Sequence, residues 1–123
     1  MTQHENAALK IWRAHFDAWT SKDMDTAMTY IADDIVCDAP AGRLDGAAAY
    51  RNFLEPFSRI LTGVKPFASF GDEKTAVGIY EAQTFPVPHA PGAECVTVVD
   101  GKITHSRFIF DRTPFDAARR SQG

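Results

Sequence analysis

The chain has 123 residues, of which 45% are hydrophobic and 24% are charged, and its formal net charge at pH 7 is −3. This length and composition predict a single globular domain over residues 1–123 and argue against a disordered chain. A net negative charge without a cluster of basic residues also argues against a nucleic-acid partner, because phosphate backbones are bound by Lys and Arg side chains.

The termini and the metal-binding residue types indicate neither a membrane protein nor a metalloprotein. The first ten residues are polar, and no apolar run approaches the roughly 18 to 20 residues that a membrane span requires. The two Cys form no Cys-x-x-Cys pair, and the four His lack the spacings of a zinc site on one element. We therefore predict a cytoplasmic protein with two buried free thiols, no metal, no cofactor and no membrane contact.

A helical stripe opens the chain. Residues 6–21 predict an amphipathic helix, because apolar side chains recur there at spacings of three and four. Its stripe consists of Leu9, Trp12, Phe16 and Trp19. His15 flanks the stripe, one turn from both tryptophans.

A second helix and a strand are predicted next. Residues 21–34 predict a short helix that Asp33 and Asp34 end. Residues 35–40 predict a strand, because β-branched side chains lead into a proline, which can lie only at a strand's end or edge.

A third helix follows a turn. Arg43 and Asp45 predict a turn with a helix N-cap, and residues 46–63 have a helical apolar period. Pro56 inside this pattern predicts a kink, and Gly63 predicts the end of the helix.

The second half of the chain changes to a period of two. Four strands are predicted, over residues 64–71, 74–85, 94–99 and 102–111, and residues 115–123 predict a short turn of helix. Helices followed by consecutive strands are typical of an α+β fold in which helices pack on one face of a mostly antiparallel sheet. If the sheet curves, its concave face and the helices enclose a pocket.

Three segments resemble the SnoaL-like branch of the nuclear transport factor 2-like superfamily. They are "AMTYIADDIVCDAPAG", "GAAAYRNFLEPF" and "VVDGKITHSRFIFD", and the resemblance extends from about Ala7 to Phe115. It implies a cone-shaped α+β fold with a curved, mostly antiparallel sheet and N-terminal helices on its concave face. It also implies a homodimer through the outer face of the sheet, to which His105, Arg107 and Ile109 are assigned.

Ketosteroid isomerases of this superfamily offer a residue-by-residue test. Their catalytic Asp precedes the strand-ending proline, and that place is Ala39 here, with Asp38 one residue earlier. Their oxyanion-binding Tyr aligns with His15, and their protonated Asp aligns best with Cys95. Similar polyketide cyclases have an inward acid near Phe108. Because every position departs, the resemblance does not carry these activities over.

Three side chains remain candidate catalytic groups. Asp38 is a candidate general base if a bulge turns it into the pocket, and otherwise an outward carboxylate on an edge strand. Glu81 is assigned to the core face of its strand with Val77, Ile79 and Gln83, as a base, a ligand-binding group or a rim carboxylate. His15 is either a substrate-binding or proton-relaying group, or a histidine packed against aromatic rings.

The excess of aromatic residues predicts the pocket wall. The candidate substrate-binding residues are Trp12, Trp19, Tyr30, Phe53, Phe57, Cys95, Phe108 and Phe110. Three functions stay open: cofactor-free acid–base catalysis on a small hydrophobic molecule (isomerisation, cyclisation or dehydration), binding of such a ligand without turnover, and a structural dimerisation module.

Overall fold

The computed structural model describes residues 6–122, which form four helices and one six-stranded sheet. The helices are α1 (Ala7–Thr20), α2 (Met24–Met28), α3 (Ala47–Ile60) and α4 (Thr113–Gln122). The strands are β1 (Ile31–Ala39), β2 (Gly42–Asp45), β3 (Leu61–Gly71), β4 (Thr75–Thr84), β5 (Ala90–Val99) and β6 (Lys102–Phe110).

The sheet has the strand order β2-β1-β6-β5-β4-β3. All neighbouring strands are antiparallel except β1 and β6, which run parallel with Cys37 opposite Ser106. Register shifts interrupt three of the five pairings, and such bulges bend a strand and increase its twist. The predicted α+β fold with a curved, mostly antiparallel sheet is confirmed.

Helix α1 lies against the concave face, where Gly78 permits its close approach. A Cβ atom added at Gly78 would lie 2.0 Å from the ring of Trp12, so a side chain there would displace the helix. Trp12 stacks on Phe16 with ring centroids 4.8 Å apart, and Phe16 packs on Tyr80 at 5.2 Å. This aromatic layer joins α1 to the sheet.

The second predicted helix is shorter than expected, and the strand after it is longer. Asp33 and Asp34 do not end a helix but are exposed residues of β1. Ile31 pairs with Ile103 of β6, which is distant in the sequence. This pairing extends β1 beyond the residues that its local sequence pattern predicts as a strand. The N-cap of α2 is Asp23, whose side chain accepts a hydrogen bond from the Thr26 amide.

Two further local predictions for this region are wrong. Arg43 and Asp45 form a 2.9 Å ion pair within β2 instead of a turn with an N-cap, and Gly46 occupies the N-cap position of α3. Helix α3 continues past Pro56 to Ile60 and passes directly into β3, so Gly63 belongs to a strand.

The predicted faces of β4 and of Cys95 are also wrong. Tyr80 and Ala82 are buried, whereas Ile79 is exposed, so Val77, Ile79, Glu81 and Gln83 lie on the outer face. The prediction assigned the residues with the bulkier side chains to the core. Helix α1 already fills the space above β4, however, and leaves room only for small residues and the ring of Tyr80. Cys95 pairs with Val77 in the same outer row and is half-buried.

The last helix is longer than the predicted turn. Phe115 of α4 packs on Phe57 and Phe110, with ring centroids 6.0 and 6.1 Å away. Within residues 6–122, no helix has the length and apolar character needed to cross a membrane.

Candidate functional site

A cavity of about 490 Å³ lies between α3, α4 and strands β4 to β6. This volume is in the usual range for small-molecule sites. Five rings contribute to its wall, namely Phe53, Phe57, Phe108, Phe110 and Phe115. Four of these residues lie at spacings set by the secondary structure: Phe53 and Phe57 are one helical turn apart on α3, and Phe108 and Phe110 share the inward face of β6.

The two ends of the cavity differ in polarity. The inner end includes the buried residues Leu54, Tyr80 and Phe108, of which Tyr80 is 3% exposed. The outer end includes His89, Asp111, Arg112, Asp116 and Arg119. Asp116 pairs with both arginines there, so the charges at the outer end largely compensate one another.

A fully buried carboxylate lies behind this cavity. Glu94 of β5 is 0% exposed. Its Oε1 accepts a hydrogen bond of 3.0 Å from Trp12 Nε1, and its Oε2 accepts one of 2.6 Å from Ser106 Oγ. The Tyr50 hydroxyl lies 3.0 Å from the same Oε2. Donors from α1, α3 and β6 therefore surround a buried acid, as its burial requires.

His15 connects to this acid through Tyr50. The His15 ring is fully buried, with Nδ1 3.0 Å from the carbonyl oxygen of Ala27 and Nε2 2.9 Å from the Tyr50 hydroxyl. Because a carbonyl can only accept, Nδ1 carries a hydrogen. Burial lowers the pKa of His15, and the Glu94 charge and the Ala27 carbonyl only partly oppose that effect. The neutral ring then offers a lone pair at Nε2.

The single hydroxyl proton of Tyr50 is consequently shared between two acceptors. It can be donated to His15 Nε2 or to Glu94 Oε2, but not to both at once. Burial and the Glu94 charge raise the pKa of Tyr50 well above its usual range, so the hydroxyl keeps this proton. If His15 gains a proton, Nε2 donates to the Tyr50 oxygen and Tyr50 donates to Glu94. We call His15, Tyr50 and Glu94 the buried triad.

The predicted binding residues divide into three groups. Phe53, Phe57, Phe108 and Phe110 line the cavity. Trp12 and Trp19 are buried behind it, where Trp12 binds Glu94 and Trp19 packs on Phe57 and Tyr80. Tyr30 and Cys95 do not line the cavity, because Tyr30 lies in the turn before β1 and Cys95 lies on the outer face of the sheet.

None of the three predicted catalytic residues lines the cavity. Asp38 lies on the outer face, where Oδ2 accepts hydrogen bonds from His105 Nε2 at 2.9 Å and from Arg107 at 3.3 Å. The hydrogen bond from His105 holds the pKa of Asp38 below its usual range. His15 belongs to the buried triad. Of the two alternatives for Asp38, the structure therefore shows the outward carboxylate.

Glu81 contacts the cavity only through a neighbour that the sequence did not single out. Its Oε1 lies 3.3 Å from Nδ1 of His89, and both side chains are accessible to solvent. His89 lines the outer end of the cavity from the segment before β5. Glu81 itself lies on the outer face, so its assignment to the core face is wrong.

The sequence contains a signal for Glu94 that the prediction overlooked. Along β5 the buried positions are Glu94, Val96 and Val98, which alternate with the partly exposed Cys95 and Thr97. Two valines in phase with Glu94 indicate that it faces inward. The predicted strand begins at Glu94, so this residue was interpreted as the end of a strand.

Other reactive groups do not form a second site. Among residues 6–122, no group of three or more His, Cys, Asp and Glu side chains could hold a metal ion. Burial raises the pKa of the Cys37 thiol to about 12, so Cys37 stays protonated and unreactive.

Comparisons with known proteins agree with this architecture. Residues 12–106 match the family model described as the SnoaL-like domain. A search of curated proteins gives no match. A crystal structure from Kribbella flavida is 56% identical, with a TM-score of 0.90 over 94% of this chain and 97% of that chain.

More distant structures share the fold. A polyketide-cyclase-like protein from Sinorhizobium meliloti is 22% identical, with a TM-score of 0.71 over 81% of this chain and 94% of its own. TerC, which was co-crystallised with polyporic acid, is 19% identical, with a TM-score of 0.70 over 90% of this chain and 96% of its own.

Proposed function

We propose that this chain, which belongs to the SnoaL-like domain family, binds a small, ring-containing, largely apolar molecule in its aromatic cavity. The observation that carries the proposal is a cavity of about 490 Å³ with five phenylalanine rings in its wall. Aromatic walls bind apolar rings through buried area and through stacked or edge-to-face contacts.

The relatives support the proposal in a limited way. TerC was co-crystallised with an organic acid, polyporic acid, and the Sinorhizobium meliloti protein is polyketide-cyclase-like. Both share only the fold with this chain. They support the idea that this architecture accommodates small organic molecules, and the identity of the ligand must come from the cavity itself.

A cavity-filling variant tests the proposal. Ala90 lines the cavity and is buried. Ala93 is on the same strand but on the opposite face of the sheet, beside Ile79 and Ile109. We expect Ala90→Leu to weaken saturable binding of tetralin at least about tenfold, because the added group occupies the ligand's space, and Ala93→Leu to leave it unchanged. Equal binding by Ala90→Leu and the wild type, measured by ligand-observed NMR, would exclude the cavity as the binding site.

Cofactor-free acid–base catalysis is the second candidate function. It is favoured by the contact between Glu81 and His89, because a carboxylate on Nδ1 orients an imidazole that lines the cavity. In this role His89, not Glu81, exchanges a proton with the bound molecule. Glu81 is then a positioning residue.

Exchange of carbon-bound hydrogen tests this second candidate. We use 1-tetralone in D₂O, because the C–H bonds beside its carbonyl are the acidic ones, and follow their loss by proton NMR. Catalysis by His89 predicts exchange faster than in buffer, with a loss in His89→Gln and retention in His105→Gln, whose ring lies on the outer face of the sheet. Exchange at the buffer rate in the presence of bound 1-tetralone would leave binding alone as the function.

We also propose that a second copy of the chain covers the outer face of the sheet. Ile79 is 44% exposed and Ile109 is 60% exposed, and both flank Ala93 in one row across β4, β5 and β6. Phe70 is 66% exposed and lies in the neighbouring row of the same face, next to Val77 and Cys95. A contiguous apolar patch in the middle of a sheet face is typical of a protein interface.

A further inference from the structure

We propose that the inner end of the cavity is a subsite for a neutral hydrogen-bond acceptor, such as the carbonyl oxygen of an apolar ring compound, and that the Tyr80 hydroxyl is its donor. This inference rests on the proposed binding function and specifies its ligand class. It assigns the orientation of the ligand, with the neutral oxygen inward and any charged group outward.

The position of Tyr80 is fixed by its neighbours. Tyr80 is 3% exposed and lines the cavity from β4. Its ring packs on Phe16 and Trp19 of α1, with centroids 5.2 and 6.0 Å away. Because two aromatic residues of α1 hold the Tyr80 ring, its hydroxyl has a defined position. A group that recognises a ligand requires such a fixed position.

Gly92 packs closely against the hydroxyl end of the Tyr80 ring. It lies opposite Tyr80 in the pairing of β4 with β5 and also lines the cavity. A Cβ atom at Gly92 would lie 3.1 Å from the Tyr80 oxygen and 3.2 Å from the carbon that bears it. The absence of a side chain at Gly92 therefore lets the Tyr80 ring and its hydroxyl lie close against the backbone of β5.

The Tyr80 hydroxyl has no hydrogen-bond partner among residues 6–122. The hydrogen bonds to Glu94 come from Trp12, Tyr50 and Ser106, and Tyr80 takes no part in them. Burial and the Glu94 charge raise the pKa of Tyr80, so the hydroxyl is a neutral donor throughout the physiological range. Buried hydroxyls normally have a partner, and here the cavity is the side from which one can come.

The surroundings define the class of acceptor. At this end of the cavity the other lining residues include Leu54, Gly92 and Phe108, which carry no charge. The Glu94 charge nearby repels an anion, and the exposed arginines Arg112 and Arg119 line the opposite end. A carboxylate at the inner end would thus lose its hydration without forming an ion pair there. A neutral carbonyl at the same place gains a hydrogen bond.

Three probes of similar shape test the inference: 1-tetralone has a carbonyl, tetralin lacks it, and 2-naphthoate replaces it with an anion. A neutral hydrogen bond contributes about a fivefold gain in affinity, so we expect the wild type to prefer 1-tetralone over tetralin by about that factor. We expect Tyr80→Phe to abolish the preference by weakening 1-tetralone alone. Tyr30→Phe, which also removes a phenolic hydroxyl but lies outside the cavity lining, should retain it.

The possible outcomes separate this inference from the binding function. If no probe binds the wild type, the proposed function fails and the subsite fails with it. If tetralin binds but the wild type shows no preference, or Tyr80→Phe retains the preference, only the subsite is overturned. Tighter binding of 2-naphthoate than of 1-tetralone that depends on Tyr80 would also overturn it. Gly92→Ala provides a second variant with Tyr80 intact, and we expect it to reduce the preference because its methyl group lies against the hydroxyl.

Discussion

His15 Nε2 lies 2.9 Å from the hydroxyl of Tyr50, and that hydroxyl has a second acceptor, Glu94 Oε2, at 3.0 Å. All three side chains are fully buried, and the Tyr50 hydroxyl is the donor that lies between the two acceptors. The buried triad is therefore held by one hydroxyl, and its removal affects both neighbours at once.

Tyr50→Phe should destabilise the protein more than an ordinary loss of one hydrogen bond. It leaves His15 Nε2 without a hydrogen-bond partner and removes one of the two donors at Glu94 Oε2, where Ser106 Oγ remains, and an unsatisfied buried group costs about 1 to 3 kcal/mol. We expect the free energy of unfolding in urea to fall by about 2 to 4 kcal/mol. Tyr30→Phe is the matched control and should change it by less than about 0.5 kcal/mol. A Tyr50→Phe protein as stable as the wild type would show that the hydroxyl does not hold the triad.

Glu94→Gln should be tolerated, although Glu94 is fully buried. The amide keeps an oxygen for Trp12 Nε1 and gains a nitrogen whose two hydrogens can be donated to the Tyr50 and Ser106 oxygens, so Tyr50 can donate to His15 without competition. We expect the free energy of unfolding to stay within about 1 kcal/mol of the wild type. Glu94→Ala should lower it by about 3 to 5 kcal/mol, because three donors lose their acceptor. Equal losses for both variants would mean that the negative charge itself is required.

The lowered pKa of His15 predicts how stability depends on pH. In the unfolded chain His15 takes up a proton near its ordinary pKa of 6.5, whereas burial opposes protonation in the folded protein. Below this pH the unfolded state binds more protons, so stability falls as pH decreases, by at most about 1.4 kcal/mol per pH unit from this group. Urea unfolding between pH 5 and 8 measures the effect, and His15→Gln should remove this component. A wild-type stability that rises on acidification from pH 6.5 would contradict the assignment of a neutral His15.

Gly78 should not tolerate a side chain. The methyl group of Gly78→Ala would lie 2.0 Å from the Trp12 ring, and that ring also donates to Glu94 and stacks on Phe16. Moving it disturbs a hydrogen bond and the aromatic layer, so we expect a loss of about 3 kcal/mol or more in the free energy of unfolding. Gln83→Ala, on the outer face of the same strand, should cost less than about 1 kcal/mol. Wild-type stability of Gly78→Ala would show that α1 can shift freely over the sheet.

Apart from the short strand β2, the order of elements was predictable from the sequence because it depends on local periodicity. The stripe of Trp12, Phe16 and Trp19 is helical in any context, and the alternation after residue 64 is that of strands. The family resemblance added the curvature and the packing of helices on the concave face. Phe53, Phe57, Phe108 and Phe110 line the cavity because the inward phase of each residue follows from the same periods.

The faces of β4 and the composition of the site were not predictable in this way. The alternation of β4 places Tyr80 and Glu81 on opposite faces but does not say which face packs against α1. That choice depends on the contact between Gly78 and Trp12, which are distant in sequence. The buried triad combines residues from α1, α3 and β5, and no short motif records such a combination. His89 reaches the cavity because of the path of the segment before β5, which has no periodicity to interpret.

The proposed homodimer is tested on the outer face of the sheet. Ile79→Glu combined with Ile109→Glu places carboxylates at the two exposed isoleucines that flank Ala93, where a second copy would bury them. We expect the mass in solution, measured by light scattering, to change from that of two chains to that of one. The matched control is Glu55→Gln with Asp25→Asn, which alters charges on α2 and α3 and should leave the mass at two chains. A wild-type mass of one chain would exclude the dimer, and the apolar row would then need a different partner.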